Sequence, residues 1–452
     1  MVRRKRPGAL VVIVAAGMAL ACSPPLPLQG AEDDARLEAL ERRLIEQEKR
    51  IAEQERKIGE LKGRADRGDL APGGRKQIEK ILKDIDADAP AITIGDWAEN
   101  LDLFGDLRLR WRYRRMGPNH GRGDKPLSRG EFRLRIGARK TWWDGQMETG
   151  FRLDSDAGTG GSRTSDNVPF SNAGVSNDEL ILIGLAYAKY TPEAVEGLAV
   201  TAGKMKNPLV TIKTDMLWDS DVCPEGIAAT CAVQGVQTVR PFVTAAAFQM
   251  TGGGGVQLHA YQGGLVIAAH DDVKVTGTAT WYDWRHVELF LGAPGGNTVP
   301  TAALPTELSA REFDVLNTTA QVEFTLGEVP LAVFVDYARN CEDQVSGVDE
   351  AYSIGGKLGK AKNQGDWFVR YRWAEIDENA FPSLVGDSDF MGTNRKGHEI
   401  GAGYMISDFL KFEAEVIYSH SRSSRIGPAG GPPAGGNRSR RLQVLLDLVW
   451  TW

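Results

Sequence analysis

The chain has 452 residues, 42% of them hydrophobic and 25% charged, and its mean hydropathy is negative. That balance excludes both a disordered polymer and a bundle of membrane helices. A formal charge of −6 lacks the basic excess of a nucleic-acid binder, so no nucleic-acid partner is expected. The 52 Gly, 11 Trp, 15 Phe and 10 Tyr suit strands and turns better than helices.

At the N-terminus Arg3, Arg4, Lys5 and Arg6 precede an apolar run from Ala9 to Ala21 that is too short to span a bilayer as a helix. Residues 1–21 therefore read as a secretory signal, with Ala19 and Ala21 as the small residues before cleavage. Cys22 after Ala-Leu-Ala resembles a lipoprotein box and is a candidate for lipidation, although such boxes usually carry Leu where Ala19 stands. Export makes Cys223, Cys231 and Cys341 candidates for oxidising chemistry, but three is an odd number and no pairing is fixed.

Residues 32–65 repeat in sevens. Leu37, Leu44, Ile51 and Ile58 occupy one core position of the heptad, and Leu40, Gln47, Gln54 and Leu61 occupy the other. This predicts an α-helical coiled coil. Flanking Arg43 and Arg50 would face Glu48 and Glu55 of a neighbouring copy, so the coil can pair with itself, while the two glutamines leave two or three strands open. Residues 66–96 read as a linker, rich in glycine and carrying Pro72, with a short helix from about Arg75 to Asp86.

From residue 97 to 452 the period changes to two. Leu107, Leu109, Trp111 and Tyr113 alternate with Arg108, Arg110, Arg112 and Arg114, and the pattern returns in Phe132 to Arg139, Trp367 to Trp373 and Leu410 to Tyr418. A strand with one apolar and one charged face needs oil on one side and water on the other. Brief connections, such as Ser407-Asp408, alternate with long polar loops, such as Arg115 to Gly130 and Asn379 to Arg395. A soluble sandwich has no reason to sort its loops in that way. The fold class expected is all-β, an antiparallel transmembrane β-barrel of about sixteen strands preceded by the coil. The segments near 180, 226 and 259 alternate poorly. The last segment runs through Leu442, Val444, Leu446 and Leu448 to Trp450 and Trp452, and its terminal aromatic resembles the signal read by barrel-insertion machinery.

A barrel of this size encloses water. Its inward face would carry Arg108, Arg110, Arg112, Arg133, Arg135, Arg139 and Arg152 from the first three strands, and Arg370 and Arg372 from a later one. Guanidiniums on adjacent strands repel unless water or counter-charges lie between them. The third outer loop, Lys206 to Glu225, carries Asp215, Asp219, Asp221 and Glu225.

The runs Gly105 to Arg114, Glu131 to Arg139, Gly203 to Pro208 and above all Leu217 to Gly226 resemble the Putative porin family of Gram-negative outer membranes. The resemblance implies a passive, homotrimeric channel in outer-membrane lipid whose third loop folds into the lumen. It would set Asp215, Asp219 and Asp221 against Arg108, Arg110, Arg133 and Arg135, with a local excess of cations that favours anions. Two plainer readings compete with this one: arginines that only solvate the lumen beside Glu131, Glu148 and Asp154, and a loop lying on the outer surface.

Two functions from other classes compete with conduction. The coil, a rod of roughly 37 Å at about 1.5 Å per residue, could tether envelope layers by reaching peptidoglycan. A barrel hydrolase would need a base beside its nucleophile, and His420 between Ser419 and Ser421 is the nearest approach, although neighbours on a strand face opposite ways. No cofactor and no metal are expected.

Overall fold

The computed structural model describes residues 100–116, 126–156, 165–170, 180–209, 212–233, 238–251, 255–270, 272–287, 313–342, 348–383, 385–390, 392–422 and 440–452. The signal, Cys22, the coil with its core from Leu37 to Leu61, and the linker lie outside the described residues.

In chain order the strands are β1 (Leu101–Met116), β2 (Leu127–Trp142), β3 (Met147–Asp156), β4 (Val168–Pro169), β5 (Leu180–Tyr190), β6 (Leu198–Lys204), β7 (Glu225–Ala232), β8 (Val239–Gln249) and β9 (Gln257–His270). They continue with β10 (Val273–Arg285), β11 (Phe313–Leu326), β12 (Val329–Asn340), β13 (Glu350–Gly359), β14 (Trp367–Ile376), β15 (Arg395–Ser407), β16 (Leu410–Ser421) and β17 (Arg440–Thr451). β4 is a two-residue strand that takes up Glu131 and Phe132 of β2 beyond the point where β3 leaves it. The other sixteen form one antiparallel sheet in chain order, and β17 returns to β1 with Leu107 opposite Trp450 and Met116 opposite Arg441. The sheet is therefore a closed ring with no open edge to template aggregation. The sixteen segments expected from the alternation correspond one to one with these strands.

The two faces of the ring follow the two-residue period. Leu109, Trp111, Ile136, Val243, Val335, Ile354, Val369, Ile400 and Val416 are exposed on the outside. Aromatic side chains flank this apolar band: Trp142, Tyr190, Trp367, Tyr404, Phe412 and Trp452 at the end with the short connections, and Trp111, Tyr352 and Tyr418 towards the other. Amphipathic rings at both borders of an apolar band suit two membrane–water interfaces. At the seam, Gly105 and Trp452 exchange backbone hydrogen bonds of 3.2 and 3.3 Å. A Cβ on Gly105 would lie 2.5 Å from the Trp452 ring, so glycine is what lets the indole cover the junction.

Three segments alternate poorly, and the structure supplies two reasons. In β5 the register with β3 shifts between Arg152 and Leu153, leaving Gly184 as the extra residue of a bulge, so the period resets within the strand. In β7 and β9 the inward residues Ala228, Leu258 and Ala260 are themselves apolar. They belong to a buried apolar cluster with Phe248, Tyr282, Trp284, Phe313 and Val315, residues contributed by the adjacent strands β7 to β11.

Candidate functional site

That apolar wall determines where the loops go. The chain leaves β6 at Lys204 and turns inward, burying Met205, Leu209, Ile212, Met216, Leu217, Trp218 and Val222. Trp218 stacks on Tyr282 and Trp284 of β10 with ring centroids 6.4 and 6.2 Å away. Gln262 Nε2 of β9 donates to the Leu209 carbonyl (2.6 Å), Thr214 bonds Asp336 of β12, and Arg372 Nη1 of β14 donates to the Thr214 carbonyl (2.9 Å). This segment crosses the lumen and does not lie on an outer surface.

A second loop, between β14 and β15, enters beside it and buries Phe381, Val385 and Phe390. The Asp219 N–H donates to the Val385 carbonyl (2.7 Å), and the Asp219 carboxylate accepts from the backbone N–H groups of Asp221 (2.9 Å) and Ser388 (3.2 Å). Asp219 thus fastens the two loops together. Asp215 has a φ of 52°, a left-handed conformation that Asp tolerates better than most residues.

Another part of the interior wall is charged, and its arginines are paired. Arg110 donates to both carboxylate oxygens of Asp447 (2.8 Å each) and lies 3.4 Å from Asp389. Arg112 reaches Asp389 (2.7 Å) and Glu131 (2.9 Å). Arg133 donates to Asp106 (2.9 Å) and approaches Asp221 at 4.0 Å, while Arg135 pairs with Asp166 and with Asp221 (2.7 Å). Arg372 binds Asp387 (2.7 Å) and Glu399, and Arg370 lies 3.0 Å from Glu415 and 3.6 Å from Glu399. Arg108 is directly opposite Arg133 across the β1–β2 ladder, and its nearest carboxylate is Asp447 at 3.7 Å.

Between this wall and the two loops lies a chamber of about 180 Å³. Arg108, Arg110, Arg133 and Arg370 line it; so do Asp215, Asp219 and Asp221 from the first loop, Asp387 and Asp389 from the second, and Glu399, Glu413, Glu415 and Asp447 from the strands. Nine carboxyl groups and four guanidiniums therefore line it, and Arg112, Arg135 and Arg372, which do not line it, pair with Asp389, Asp221, Asp387 and Glu399 among the nine.

Charge and burial set the protonation of the loop acids. Burial is the largest influence on Asp166 and, against the pull of Arg135, pushes its carboxyl up to about 6. Burial, reinforced by Asp387 and Asp221, raises Asp219 well above the carboxylate range. Asp387 is raised by burial and by Glu399 against Arg372, and Asp215 is raised by burial against Arg372 and Arg370. Burial would also raise Asp221 and Asp389, but Arg135 and Arg133 hold the first low, and Arg112 and Arg110 hold the second low.

Several expected residues stand elsewhere. Glu225 begins β7 and pairs with Lys204 (2.9 Å) on the side shared with exposed Ile227, so it is not among the acids of the chamber. Arg139 sits at the short-connection end beside Asp102 (2.8 Å), and Arg152 is held by Asp154 on its own strand (2.6 Å). Asp387 and Asp389 hold three of the arginines without being marked in the sequence, because a long polar loop gives no sign of which way it folds. His420 Nδ1 lies 3.1 Å from the Ser421 backbone carbonyl, so the described contact is not with a serine hydroxyl. Cys223, Cys231 and Cys341 are unpaired with one another.

Comparison with known proteins bears on this geometry. Residues 122–323 match a sequence family described as "Putative porin". No curated protein matches the chain. Among solved structures, Pseudomonas putida OprB superposes with a TM-score of 0.53 at 11% identity, covering 81% of this chain and 97% of its own. OmpT, an outer membrane protein of Vibrio cholerae, gives 0.44 at 12% identity over 78% and 97% of the two chains. A variant of the Rhodopseudomonas blastica porin gives 0.41 at 10% identity over 78% and 100%. Identities this low speak to fold alone, and of these three the Pseudomonas protein is the one similar enough in shape to bear on it. In sequence, over residues 122–323, the chain is similar to proteins grouped as porins, and in fold it is similar to a solved barrel.

Proposed function

We propose that the protein is a porin of the Gram-negative outer membrane, a water-filled channel through which small hydrophilic solutes and ions diffuse passively. The observation that carries this reading is the division of the ring into an apolar exterior with aromatic borders and an interior holding paired charges and two inward loops. In lipid a closed barrel satisfies every backbone group, and an arginine-lined wall is tolerable only where water and counter-charges reach it. Asp215, Asp219 and Asp221 face the basic wall across the constriction, which supports the eyelet that the resemblance implies. The coil over 32–65 joins copies on the periplasmic side, as a trimer by the same resemblance. The reading is of a channel and not an enzyme.

Planar-bilayer recording of the purified chain tests it. Stepwise current increases of uniform size are expected when the protein is added to an artificial membrane. A preparation that fractionates with soluble proteins and leaves the membrane silent would overturn the proposal.

A further inference from the structure

We propose that the two inward loops act as one strut across the lumen, and that Arg372 is the positioning residue that holds the strut and so sets the largest solute that passes. This rests on the channel reading and adds what fixes its size limit. At one end of the strut Trp218 of the first loop stacks on Tyr282 and Trp284 of β10. At the other end Asp221 of the first loop pairs with Arg135 of β2 (2.7 Å), while Asp389 of the second loop pairs with Arg112 of β1 (2.7 Å) and accepts from Gln443 Nε2 of β17 (2.9 Å). In the ring of sixteen, β10 stands eight strands from β1 in either direction, so the two ends rest on opposite walls.

The loops are also joined to each other. The Asp219 N–H donates to the Val385 carbonyl (2.7 Å), and Phe381, Val385 and Phe390 share one buried apolar cluster with Met216, Leu217 and Trp218. Arg372, itself buried, reaches this junction from β14. Its guanidinium donates to the Thr214 carbonyl of the first loop (2.9 Å), to Asp387 of the second (2.7 Å) and, through Nε, to Glu399 of the neighbouring strand β15 (3.0 Å). It also lies 5.0 Å from the centre of the Phe390 ring. A planar fork of five donors meets acceptors from three segments in fixed directions, which an ammonium on a flexible stem does not reproduce. The positions of both loops are thereby tied to one wall residue, and the clear width of a pore decides which solutes it admits.

Unit conductance in planar bilayers, and swelling of proteoliposomes in sugars graded from a pentose to a tetrasaccharide, test this with the full-length protein. Arg372→Gln and Arg372→Lys should each raise conductance and shift the size limit to larger sugars, with strand content by circular dichroism unchanged. Recovery of the wild-type limit by Arg372→Lys would overturn the positioning role, because charge alone would then suffice. Asp387→Ala leaves Arg372 its Glu399 partner and should shift the limit in the same direction, whether or not the Arg372 variants fold. A folded Asp387→Ala protein with wild-type conductance and size limit would overturn the proposal. Either change combined with Trp218→Ala should widen the pore no further than the wider single variant, since one body is released at either support; additive increments would show that the loops yield separately and that no strut exists. Absence of any current from the wild type would instead sink the channel reading itself.

Discussion

Arg110 shows what a single lumen charge does in this protein. Its guanidinium is buried between Asp447 on β17 and Asp389 on the loop between β14 and β15, so it joins the seam of the ring to an inward loop. Removing one partner of a buried pair leaves uncompensated charge, which costs on the order of 3 kcal/mol. Arg110→Ala is therefore expected to lower the thermal unfolding midpoint of the detergent-solubilised barrel, whereas Arg139→Ala, at an exposed pair, should leave it nearly unchanged. Equal midpoints for the two variants would count against this structural role. That Arg110 faces inward is legible in the sequence, because a strand with period two allows one face for it. Its acid partners are not legible, since Asp389 lies in a loop and Asp447 is matched only once the ring closes.

Elements show the same limit. The strands were readable wherever the lumen is wet, because a polar inner face makes the alternation visible. They were obscure at β7 and β9, where the inner face is apolar because a loop covers it. The weak pattern was therefore itself a sign of the folded-in loop. That loop is anchored by Trp218, and deleting a buried indole costs roughly 3–5 kcal/mol. Since the barrel wall does not depend on it, Trp218→Ala should leave the sheet intact by circular dichroism while the loop loosens and single-channel conductance rises. Unchanged conductance would place the constriction elsewhere. The bulge at Gly184 had no comparable signal, since a glycine among Leu180–Leu185 reads equally as a turn or as a strand residue.

At the scale of the whole molecule, two expectations separate the channel from its attachments and its environment. Deleting residues 32–65 should abolish stable oligomers on a sizing column yet leave unit conductance unchanged, and altered conductance would show that the coil shapes the pore. The pH dependence follows from the raised loop carboxyls. Asp219 is faced by Asp221, Asp387 and Ser388, and Asp387 by Arg372, Glu399 and Asp389. With pKa values above the ordinary range these groups are neutral in acid and lose their protons as pH rises; Asp166, beside the chamber, does so through about 6. Negative charge in and around the chamber thus grows from pH 5 upward, so the reversal potential should shift in the cation-preferring direction over that range. A reversal potential that is flat with pH would show that these acids do not face the conducted ions.

The seam has a consequence for assembly. β1 finds one of its two neighbours next to it in sequence, but the other is β17, and Arg110 and Asp447 are separated by 337 positions. Loop-closure entropy makes so distant a pairing the last to form. Until it does, β1 presents bare amides and carbonyls to whatever surrounds it, and a nascent chain in that condition is vulnerable to clumping with its siblings. A polypeptide interrupted before β17 therefore leaves one edge of β1 without its neighbour and cannot seal the ring.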